Sequence, residues 1–451
     1  MINPEIFKAY DVRGLYPQEL SEDVFLQLGR AFAAFLGPKR FAVTRDMRTS
    51  SPSLTAAFIE GVIRQGGHVH DYGLAGTDMM YYAVASAGLD GGAQITASHN
   101  PKQYNGCKMV KAEAFPLSGE SGIKEMKEML LAGTLPAPAA TPGTVTHGDI
   151  TAPYVEHVMG FIDPSVIQPF KTVLDAGSGI AGAVAPHLFD RLPCKTTRLC
   201  FEVDGTFPNH EANPLIEENR QDITAEVIRQ QADIGIAWDG DADRCFFIDG
   251  SGEFIAGDFI TALLAEAALM KQPGATIVYD VRASYAVKDT VARYQGRALM
   301  NRVGHAFIKR RMREEDGLFG GEVTGHYYFK NNFYADNGFI PALLILELMS
   351  RKGQSLRDLL APLRERYFLS GEINTKVSSM AVVPAKLERL AKEYAHGHVY
   401  HLDGVSVEFD DWHFNVRASN TEPLLRLNLE GTTPEIMERR RDEVLEIIRS
   451  S

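Results

Sequence analysis

Three aspartates occupy alternate positions of one short polar segment, at Asp239, Asp241 and Asp243. Packing like charges this closely is unfavourable unless a cation neutralises them, and hard carboxylate oxygens suit Mg²⁺. An EF-hand loop begins in the same way, but it needs glycine at its sixth position and glutamate at its twelfth. This chain has Arg244 and Gly250 there. The pattern therefore predicts a Mg²⁺ site of another kind, and the apolar runs on both sides disfavour the alternative of a solvated acidic turn.

A serine followed by histidine, asparagine and proline is the second candidate, at Ser98. The small and apolar run Gly91–Ile95 before it predicts a short buried strand, and Pro101 prevents a ladder or helix from continuing. Ser98 is therefore expected on a tight loop at a strand end, where function concentrates in α/β folds. The neighbouring His99 invites a hydrolase interpretation, but no third residue supports a triad, and an ordinary polar turn is the alternative.

Two further segments carry groups that suit a phosphorylated sugar. Glu322 and Thr324 stand among glycines, and such groups can hydrogen-bond to vicinal hydroxyls. Towards the C-terminus, guanidinium, hydroxyl and amide groups could converge on one phosphate; they belong to Arg417, Ser419, Asn420, Thr421 and Arg426. The alternatives are a glycine-rich turn and a polar strand-turn-strand. Arg13 and Lys108 are additional basic candidates.

The overall composition limits the class of protein. The chain has 451 residues and a formal net charge of −12, which argues against nucleic acid or an anionic membrane as the main partner. Four cysteines are scattered without metal-ligand spacing, as in a reduced cytosolic protein. No apolar run is long enough to span a bilayer, and no signal peptide is recognised. We expect a soluble cytoplasmic enzyme.

The elements that must position these residues alternate between helix and strand, which predicts an α/β fold. Three stretches predict a strand, a tight turn with an acidic residue, and then a helix: Phe41–Asp46, Thr172–Gly177 and Thr276–Val281. Each is followed by a second short strand that ends in one of the first three polar loops. We therefore expect three related α/β domains and a different C-terminal one, with limits at 1–142, 143–252, 253–364 and 365–451.

One segment indicates a different function. Gly177–Gly182 follows a predicted strand and matches the dinucleotide fingerprint, with Glu202 near the usual acidic position. Taken literally, it predicts a nucleotide-binding protein. The same strand-turn-helix recurs in the chain without these glycines, so a tight turn and helix start is the preferred interpretation.

Taken in order, the four loops resemble those of the α-D-phosphohexomutase family, specifically its phosphomannomutase/phosphoglucomutase branch. The resemblance covers the whole chain: Thr96–Pro101 is similar to the phosphoserine loop, Asp239–Arg244 to the metal loop, Gly321–His326 to the sugar loop, and Arg417–Arg426 to the phosphate loop. It implies four domains around a central cleft, the first three with related mixed-sheet α/β topology and a smaller α+β C-terminal domain.

The resemblance also implies a role for each matching residue. Ser98 would carry the transferable phosphoryl group and face Mg²⁺ together with the three aspartates. Arg244 would orient the serine loop, and His99 and Lys108 would assist proton transfer or stabilise charge, with Tyr10 and Arg13 close by. Sugar hydroxyls would be bound by Glu322 and Thr324, with His305 lining the same cleft. The phosphate that is not reacting would be held by Arg417, Ser419, Asn420, Thr421 and Arg426.

The implied reaction interconverts hexose 1-phosphate and hexose 6-phosphate, of mannose or glucose, with hexose 1,6-bisphosphate as intermediate and activator. Thr324 stands where many relatives have serine, and Arg282 where many have lysine. The start Tyr10–Gly14 fits this branch and differs from the glucosamine-phosphate branch, which leaves phosphoglucosamine mutase as the first alternative. A metal-dependent sugar phosphatase is the second. The partner is expected to be a small sugar phosphate, and the enzyme a monomer or a homodimer.

Overall fold

The structure is a computed structural model that describes residues 2–37, 39–419 and 423–450. The chain divides into two compact units, Met1–Ile255 with Thr324–Leu356, and Ala256–Val323 with Arg357–Ser451. Among the described residues, no helix combines the length and the apolar character needed to cross a membrane. Short 3-10 helices lie at Pro4–Ile6, Ala112–Ala114, Pro164–Val166, Glu217–Arg220, Lys330–Asn332 and Met380–Val382.

The first sheet belongs to the first unit and has the order β1-β5-β4-β2-β3-β7, with β6 paired to β5. β2 runs parallel to β3 and β4, and β4 runs antiparallel to β5. The strands are β1 (Val12–Leu15), β2 (Arg40–Arg45), β3 (His68–Leu74), β4 (Gly91–Ile95), β5 (Tyr104–Lys111), β6 (Phe115–Pro116) and β7 (Val145–His147). The helices are α1 (Glu22–Leu36), α2 (Ser51–Arg64), α3 (Thr77–Ser86) and α4 (Ile123–Ala132).

An aromatic core fixes the two longer helices against this sheet. The ring of Phe32 on α1 lies 4.9 Å from that of Phe41 on β2 and 5.6 Å from that of Phe58 on α2. All three rings are fully buried. β4 is buried along its whole length, as its small and apolar sequence predicts. β7 adds to this sheet beyond residue 142, and the exact domain limits stay predictions.

The second sheet has the order β11-β10-β8-β9 and also lies in the first unit. β8 runs parallel to β9 and β10, and β10 forms an antiparallel hairpin with β11. Because Trp238 pairs with Cys245, the hairpin turn consists of residues 239–244, and this places the three aspartates at its tip. The elements are α5 (Thr151–Met159), β8 (Lys171–Asp175), α6 (Ala181–Phe189), β9 (Lys195–Leu199), α7 (Gln221–Gln230), β10 (Ile234–Trp238) and β11 (Cys245–Asp249).

The predicted threefold repetition is confirmed by strand pairing. In the second unit β12 runs parallel to β13 and β14, as β2 and β8 do to their neighbours. The elements there are α8 (Gly257–Lys271), β12 (Thr276–Asp280), α9 (Tyr285–Arg293), β13 (Arg297–Asn301), α10 (His305–Glu314) and β14 (Phe319–Gly321). They are followed along the chain by β15 (Tyr327–Phe329), β16 (Ala335–Asp336), α11 (Phe339–Lys352) and α12 (Leu356–Arg364). The three predicted loops directly follow β4, β10 and β14.

The C-terminal segment is an antiparallel sheet with two packed helices. Its strand order is β17-β22-β21-β20-β19, with β18 paired to β22. Tyr394 packs edge-on against Trp412 and Phe414, and this cluster forms the core. The elements are β17 (Phe368–Leu369), β18 (Ile373–Lys376), α13 (Val383–Glu393), β19 (His398–Tyr400), β20 (Val405–Glu408), β21 (Trp412–Ala418), β22 (Leu424–Gly431) and α14 (Pro434–Arg449).

Candidate active site

Ser98 lies in the loop that follows β4 and has a left-handed backbone, with φ +49°. Its amide donates to Thr96 Oγ1 at 2.8 Å, and Thr96 Oγ1 donates to Asp46 Oδ2 at 2.7 Å. Such a conformation costs free energy in a residue with a side chain, and it persists where surrounding contacts over-determine it. The Ser98 hydroxyl then donates to Asp239 Oδ2 at 2.6 Å, across 141 positions of the chain.

The three aspartates of the β10–β11 turn are all buried, and they offer ligand atoms within 4.8 Å of one another. Asp241 Oδ2 accepts from Thr77 Oγ1 at 2.5 Å. Two oxygens, Asp241 Oδ1 and Asp243 Oδ1, are buried without a hydrogen bond among the described residues. An unpaired buried carboxylate oxygen carries a large desolvation cost, which a bound cation removes. The donor set therefore fits a hard divalent metal ion.

Two cations approach the same carboxylates. Lys108 Nζ lies 2.7 Å from Asp241 Oδ2 and also contacts Asp243 Oδ2. Arg244 Nε donates to Asp239 Oδ2 at 3.0 Å, and its Nη2 donates to the Ser98 hydroxyl at 3.2 Å. Arg244 thus connects the carboxylate turn to the serine loop, in accordance with the orienting role that the resemblance implies.

Burial and neighbouring charges shift the pKa values of this cluster in opposite directions. Burial raises the pKa of Asp239 to about 6, although Arg244 opposes the rise. Burial acts in the same direction on Asp243, but Lys108 and His326 outweigh it and hold the pKa of Asp243 well below its ordinary value. Burial disfavours the charge of Lys108, yet the neighbouring aspartates raise the pKa of that ammonium. At neutral pH all three groups are therefore charged.

His99 is held neutral. Burial and the nearby cations Arg244 and Arg13 lower the pKa of His99 well below its ordinary value. Its Nδ1 lies 3.2 Å from Ser98 Oγ and also contacts Arg244 Nη2. Because the arginine can only donate, Nδ1 acts as an acceptor. In this structure that lone pair is therefore engaged by Arg244, while the Ser98 hydroxyl donates to Asp239.

Arg13 reaches the serine loop from β1. Its guanidinium donates to Asn100 Oδ1 at 2.5 Å and pairs with Asp11 at 2.5 Å. Tyr10 lies just before this strand and is half-buried. The first unit thus brings together all the candidate residues of the serine and carboxylate loops, namely Ser98, His99, Lys108, Arg13, Arg244, Asp239, Asp241 and Asp243.

Arg48 is a residue that sequence reasoning missed. This fully buried guanidinium donates to four carbonyl oxygens of the serine loop: those of Ser98 at 2.8 Å, Asn100 at 2.6 Å, Pro101 at 2.8 Å and Tyr104 at 3.0 Å. Its Nε pairs with Asp46 at 3.1 Å. The available signal was an acidic residue at the end of β2 with an arginine two positions later. It shows a charge pair, but it does not show that the arginine reaches residues 98–104.

In the second unit, Glu322 follows β14 and is buried. Its Oε1 accepts from the amide of Gly304 at 3.1 Å, one residue before His305 at the start of α10. The structure thus brings together two of the predicted sugar-binding residues, Glu322 and His305. Thr324 is half-buried and belongs to the first unit, where it precedes β15.

Three arginines of the second unit converge on one carboxylate. Glu372 lies 3.4 Å from Arg282, 3.5 Å from Arg417 and 3.1 Å from Arg426. Burial would raise the pKa of Glu372, but these arginines hold it below its ordinary value. The Nε atoms of Arg417 and Arg426 are buried without a hydrogen bond among the described residues. The cluster is therefore an anion site with unused donors, in which the Glu372 carboxylate takes the place of an anion.

Of the remaining predicted phosphate-binding residues, the structure describes only one. Ser419 is buried directly after β21, with its amide on the carbonyl of Leu424 at 2.9 Å. Asn420 and Thr421 lie outside the described residues. Arg282, whose match to the family is weak in sequence, is drawn into the cluster with Arg417 and Arg426 by the shared Glu372.

The glycines of the dinucleotide-like segment are explained by backbone packing. A Cβ at Gly179 would lie 2.7 Å from the carbonyl oxygen of Gly240, and one at Gly182 would lie 2.3 Å from that of Phe201. Gly177 has a φ of +54°, which favours glycine. These close approaches favour the tight-turn interpretation over nucleotide binding.

Comparison with known proteins gives matches along the chain. Models of the phosphoglucomutase/phosphomannomutase α/β/α domains I, II and III match residues 4–134, 152–252 and 256–367, and the model of the C-terminal domain matches residues 372–447. A phosphomannomutase of Escherichia coli is 42% identical over 451 residues, covering 98% of this chain and 99% of the relative. Phosphohexose mutases of Xanthomonas campestris are 42% identical over 447 residues, covering 98% of this chain and 99% of the relative.

A solved structure agrees with these sequence matches. A phosphoglucomutase/phosphomannomutase family protein from Burkholderia thailandensis has a TM-score of 0.90 and 32% identity, covering 100% of this chain and 98% of that one. The predicted fold class, with three α/β domains of related topology and an antiparallel C-terminal domain, is confirmed. Four domain models in sequence and full-length relatives at this identity show that the chain belongs to the phosphoglucomutase/phosphomannomutase family.

Proposed function

We propose that this mutase interconverts the 1-phosphate and 6-phosphate of mannose, glucose or both, through a phosphoserine at Ser98 and a hexose 1,6-bisphosphate intermediate. The main support for this proposal is the position of the Ser98 hydroxyl, which lies 2.6 Å from Asp239 and 3.2 Å from Arg244 in a buried cluster of three carboxylates. This arrangement suits phosphoryl transfer, which needs positioning and neutralisation of charge more than covalent chemistry.

Mg²⁺ is the proposed metal, held by Asp239, Asp241, Asp243 and the oxygen of Ser98. When bound, the ion supplies positive charge to phosphoryl oxygens in the transition state. Lys108 contacts one oxygen each of Asp241 and Asp243. Asp241 Oδ1 is the other oxygen of Asp241 and is proposed as a metal ligand, and Asp243 Oδ1 would bind the metal in competition with His326 Nε2 at 3.6 Å and Arg244 Nε at 4.0 Å. Asp336 and His326 form a further possible ligand group with Asp243.

In the forward half-reaction the bond between phosphorus and Ser98 Oγ breaks, a bond from phosphorus to a sugar hydroxyl oxygen forms, and the proton of that hydroxyl passes in net to the released serine oxygen. Arg244 then stabilises the returning serine oxygen by the hydrogen bond that it already makes. In the second half-reaction Ser98 Oγ attacks the other phosphate of the bisphosphate, the bond between that phosphorus and its sugar oxygen breaks, and the serine proton passes in net to the released sugar oxygen. Asp239 Oδ2 and the neutral His99 Nδ1 both lie within reach of the serine proton.

The arginine cluster of the second unit supports the sugar phosphate part of the proposal. Arg417 and Arg426 carry charge and fork geometry, and their Nε donors have no hydrogen bond within the described part of the chain, which suits the phosphate that is not being transferred. Glu322 and Thr324 are proposed to bind the sugar hydroxyls, and His305 is proposed to contribute to the same binding. A cytoplasmic location and a monomeric or homodimeric state stay predictions.

The test is an assay of purified protein on mannose 1-phosphate, glucose 1-phosphate and glucosamine 1-phosphate, with Mg²⁺ and trace bisphosphate, followed by phosphorus NMR. We expect 6-phosphates of mannose or glucose. Absence of any 6-phosphate would overturn the proposal, release of inorganic phosphate alone would indicate a phosphatase, and turnover of glucosamine 1-phosphate alone would indicate the alternative branch.

The phosphoserine needs its own measurement. Intact-mass analysis should find a phosphorylated fraction that is absent from Ser98→Ala, and mutase turnover of that variant should be abolished. The matched control is Ser165→Ala, which removes an exposed hydroxyl and should retain both properties. A fully active Ser98→Ala enzyme would refute the phosphoserine mechanism.

A further inference from the structure

A second cluster of potential metal ligands lies outside the candidate active site, at the carboxyl end of β8. It consists of Asp175, Cys200 and His210, whose ligand atoms all lie within 4.8 Å of one another. His210 Nε2 lies 3.1 Å from Asp175 Oδ2 and 3.6 Å from Cys200 Sγ. The three side chains come from different parts of the second domain and meet at one imidazole nitrogen.

The nitrogen-to-sulfur separation of 3.6 Å is that of ligands around a tetrahedral zinc ion, and the nitrogen-to-oxygen separation of 3.1 Å would widen slightly on binding. Zinc-ligand bonds of about 2.0 to 2.3 Å imply nitrogen-to-oxygen edges of about 3.4 Å and nitrogen-to-sulfur edges of about 3.6 Å. Thiolate, imidazole and carboxylate are the ligand types that zinc takes in proteins, and three of them leave one position for water. Cys200 is half-buried, so solvent can reach that fourth position.

The structural repetition explains why Asp175 is available as a ligand. The equivalent carboxylates at the ends of β2 and β12 each pair with the arginine two residues later: Asp46 with Arg48 at 3.1 Å, and Asp280 with Arg282 at 2.9 Å. In the second domain that position is Gly177, which has no side chain. A Cβ there would lie 3.0 Å from Ala212 Cβ and 3.7 Å from His210 Cε1, so Ala212 and the imidazole both lie beside the glycine.

Two outer hydrogen bonds orient the ligands. Asp175 Oδ1 accepts from the amide of Gly177 at 2.9 Å, which directs Oδ2 towards the cluster. His210 Nδ1 lies 3.0 Å from the carbonyl oxygen of Glu211, and because a carbonyl only accepts, this nitrogen carries the proton. A metal-binding histidine in proteins is normally fixed in this way, with the other nitrogen left for the ion.

We propose that Asp175, Cys200 and His210 form a zinc-binding site, distinct from the carboxylate cluster of Asp239, Asp241 and Asp243. The binding reaction displaces two protons, one from the imidazolium of His210 and one from the thiol of Cys200. Burial opposes the charge of His210, but its hydrogen bonds to Asp175 and Cys200 raise the pKa of that imidazole to about 11. Without metal the same residues form a buried ion pair, with which zinc must compete.

The site would hold a long irregular segment in place. Residues 200–216 form no helix or strand, and Cys200 and His210 lie at the two ends of their first eleven residues. Between them, a Cβ at Gly205 would lie 2.3 Å from the carbonyl oxygen of Met47, and the Phe207 ring lies 5.3 Å from the Arg48 guanidinium. A metal ion that fixes residues 200–210 therefore also stabilises their contacts with Met47 and Arg48, and Arg48 holds the serine loop.

The test is titration of the purified, metal-stripped full-length protein with Co²⁺ alone, because tetrahedral thiolate-bound Co²⁺ gives a near-ultraviolet charge-transfer band and strong visible bands. We expect one equivalent of this signal in the wild type and in Cys194→Ser, the matched control for a half-exposed thiol. We expect its loss in Cys200→Ser, retention in Asp241→Asn, and displacement by Zn²⁺.

Two further measurements test the zinc site without a cysteine variant. His210→Gln should weaken Zn²⁺ binding roughly tenfold or more. In the wild type Zn²⁺ should slow alkylation of Cys200, identified by peptide mass analysis. A wild type without the charge-transfer band, a band that persists in Cys200→Ser, or Zn²⁺ affinity unchanged in His210→Gln would each overturn the proposal. None of these outcomes bears on the mutase activity, which is assayed separately with Mg²⁺.

Discussion

Replacing Arg48 with lysine tests whether the serine loop is held in position by a single buried cation. The arginine donates to four carbonyl oxygens of residues 98–104 and pairs with Asp46. A lysine keeps the charge, but its three donors radiate from one atom and cannot span four acceptors and a carboxylate. We expect Arg48→Lys to remove at least two of these hydrogen bonds, of which those to the buried Ser98 carbonyl and to the buried Asp46 carboxylate matter most.

The size of the effect follows from those unpaired acceptors. Each buried acceptor without a partner costs about 1 to 3 kcal/mol, so the loss of two such hydrogen bonds should lower the free energy of unfolding by about 2 to 6 kcal/mol. The loop carries Ser98, and a displacement of about 1 Å at a reacting group can lower the rate about 100-fold. We therefore expect kcat to fall by about that factor, while KM changes little because Arg48 does not belong to the proposed sugar- or phosphate-binding residues.

The assay combines urea denaturation with mutase kinetics on the same preparation. Arg64→Lys is the control, since that exposed arginine makes one pair with Glu60 and should change neither quantity. Wild-type stability of Arg48→Lys would refute the hydrogen-bond argument. Reduced stability with unchanged kcat would refute the positioning role and leave Arg48 as a structural residue only.

Three further perturbations follow from the geometry. Asp241→Asn should raise the Mg²⁺ concentration needed for half-maximal rate and lower kcat about 100-fold or more, in a Mg²⁺ titration with the exposed Asp222→Asn as control. Burial raises the pKa of Asp258 to about 7, so the contribution of this carboxyl to stability is full below its ordinary pKa and is lost as pH rises through about 7. Asp258→Asn should therefore remove about 2 kcal/mol of the decline in unfolding free energy between about pH 5 and pH 8. An unchanged decline would contradict this. Glu372→Gln removes the carboxylate from the arginine cluster, so the KM for hexose phosphate should fall severalfold, and an increase would show that Glu372 serves to position the arginines.

The strand ends that bear the site were predictable because local patterns determine them. β4 and β10 are buried along their whole length and are recognisable as short apolar or small-residue runs. The proline and the alternating aspartates that follow cannot continue a strand, so they mark its end. The family resemblance then supplied roles that the residues alone left open.

The contacts between loops were not predictable from the same patterns. Arg48 acts on residues about 50 positions further along the chain, and nothing in its neighbourhood shows that distance. Glu372 lies outside the 417–426 segment that was predicted to bind phosphate, yet it joins Arg417 and Arg426 through tertiary contact. Both cases depend on which strands pair, and strand pairing is not encoded in the local sequence.

The three related domains show how one topology provides different chemistry. At the end of the central strand each domain has an aspartate whose oxygen accepts from the amide two residues later: Asp46 at 3.0 Å, Asp175 at 2.9 Å and Asp280 at 2.8 Å. The residue at that second position decides what the other oxygen binds. In the first and third domains an arginine pairs with the aspartate and extends to a loop or to an anion site. In the second domain a glycine leaves the carboxylate to a histidine and a cysteine, so the same turn can bind a metal ion.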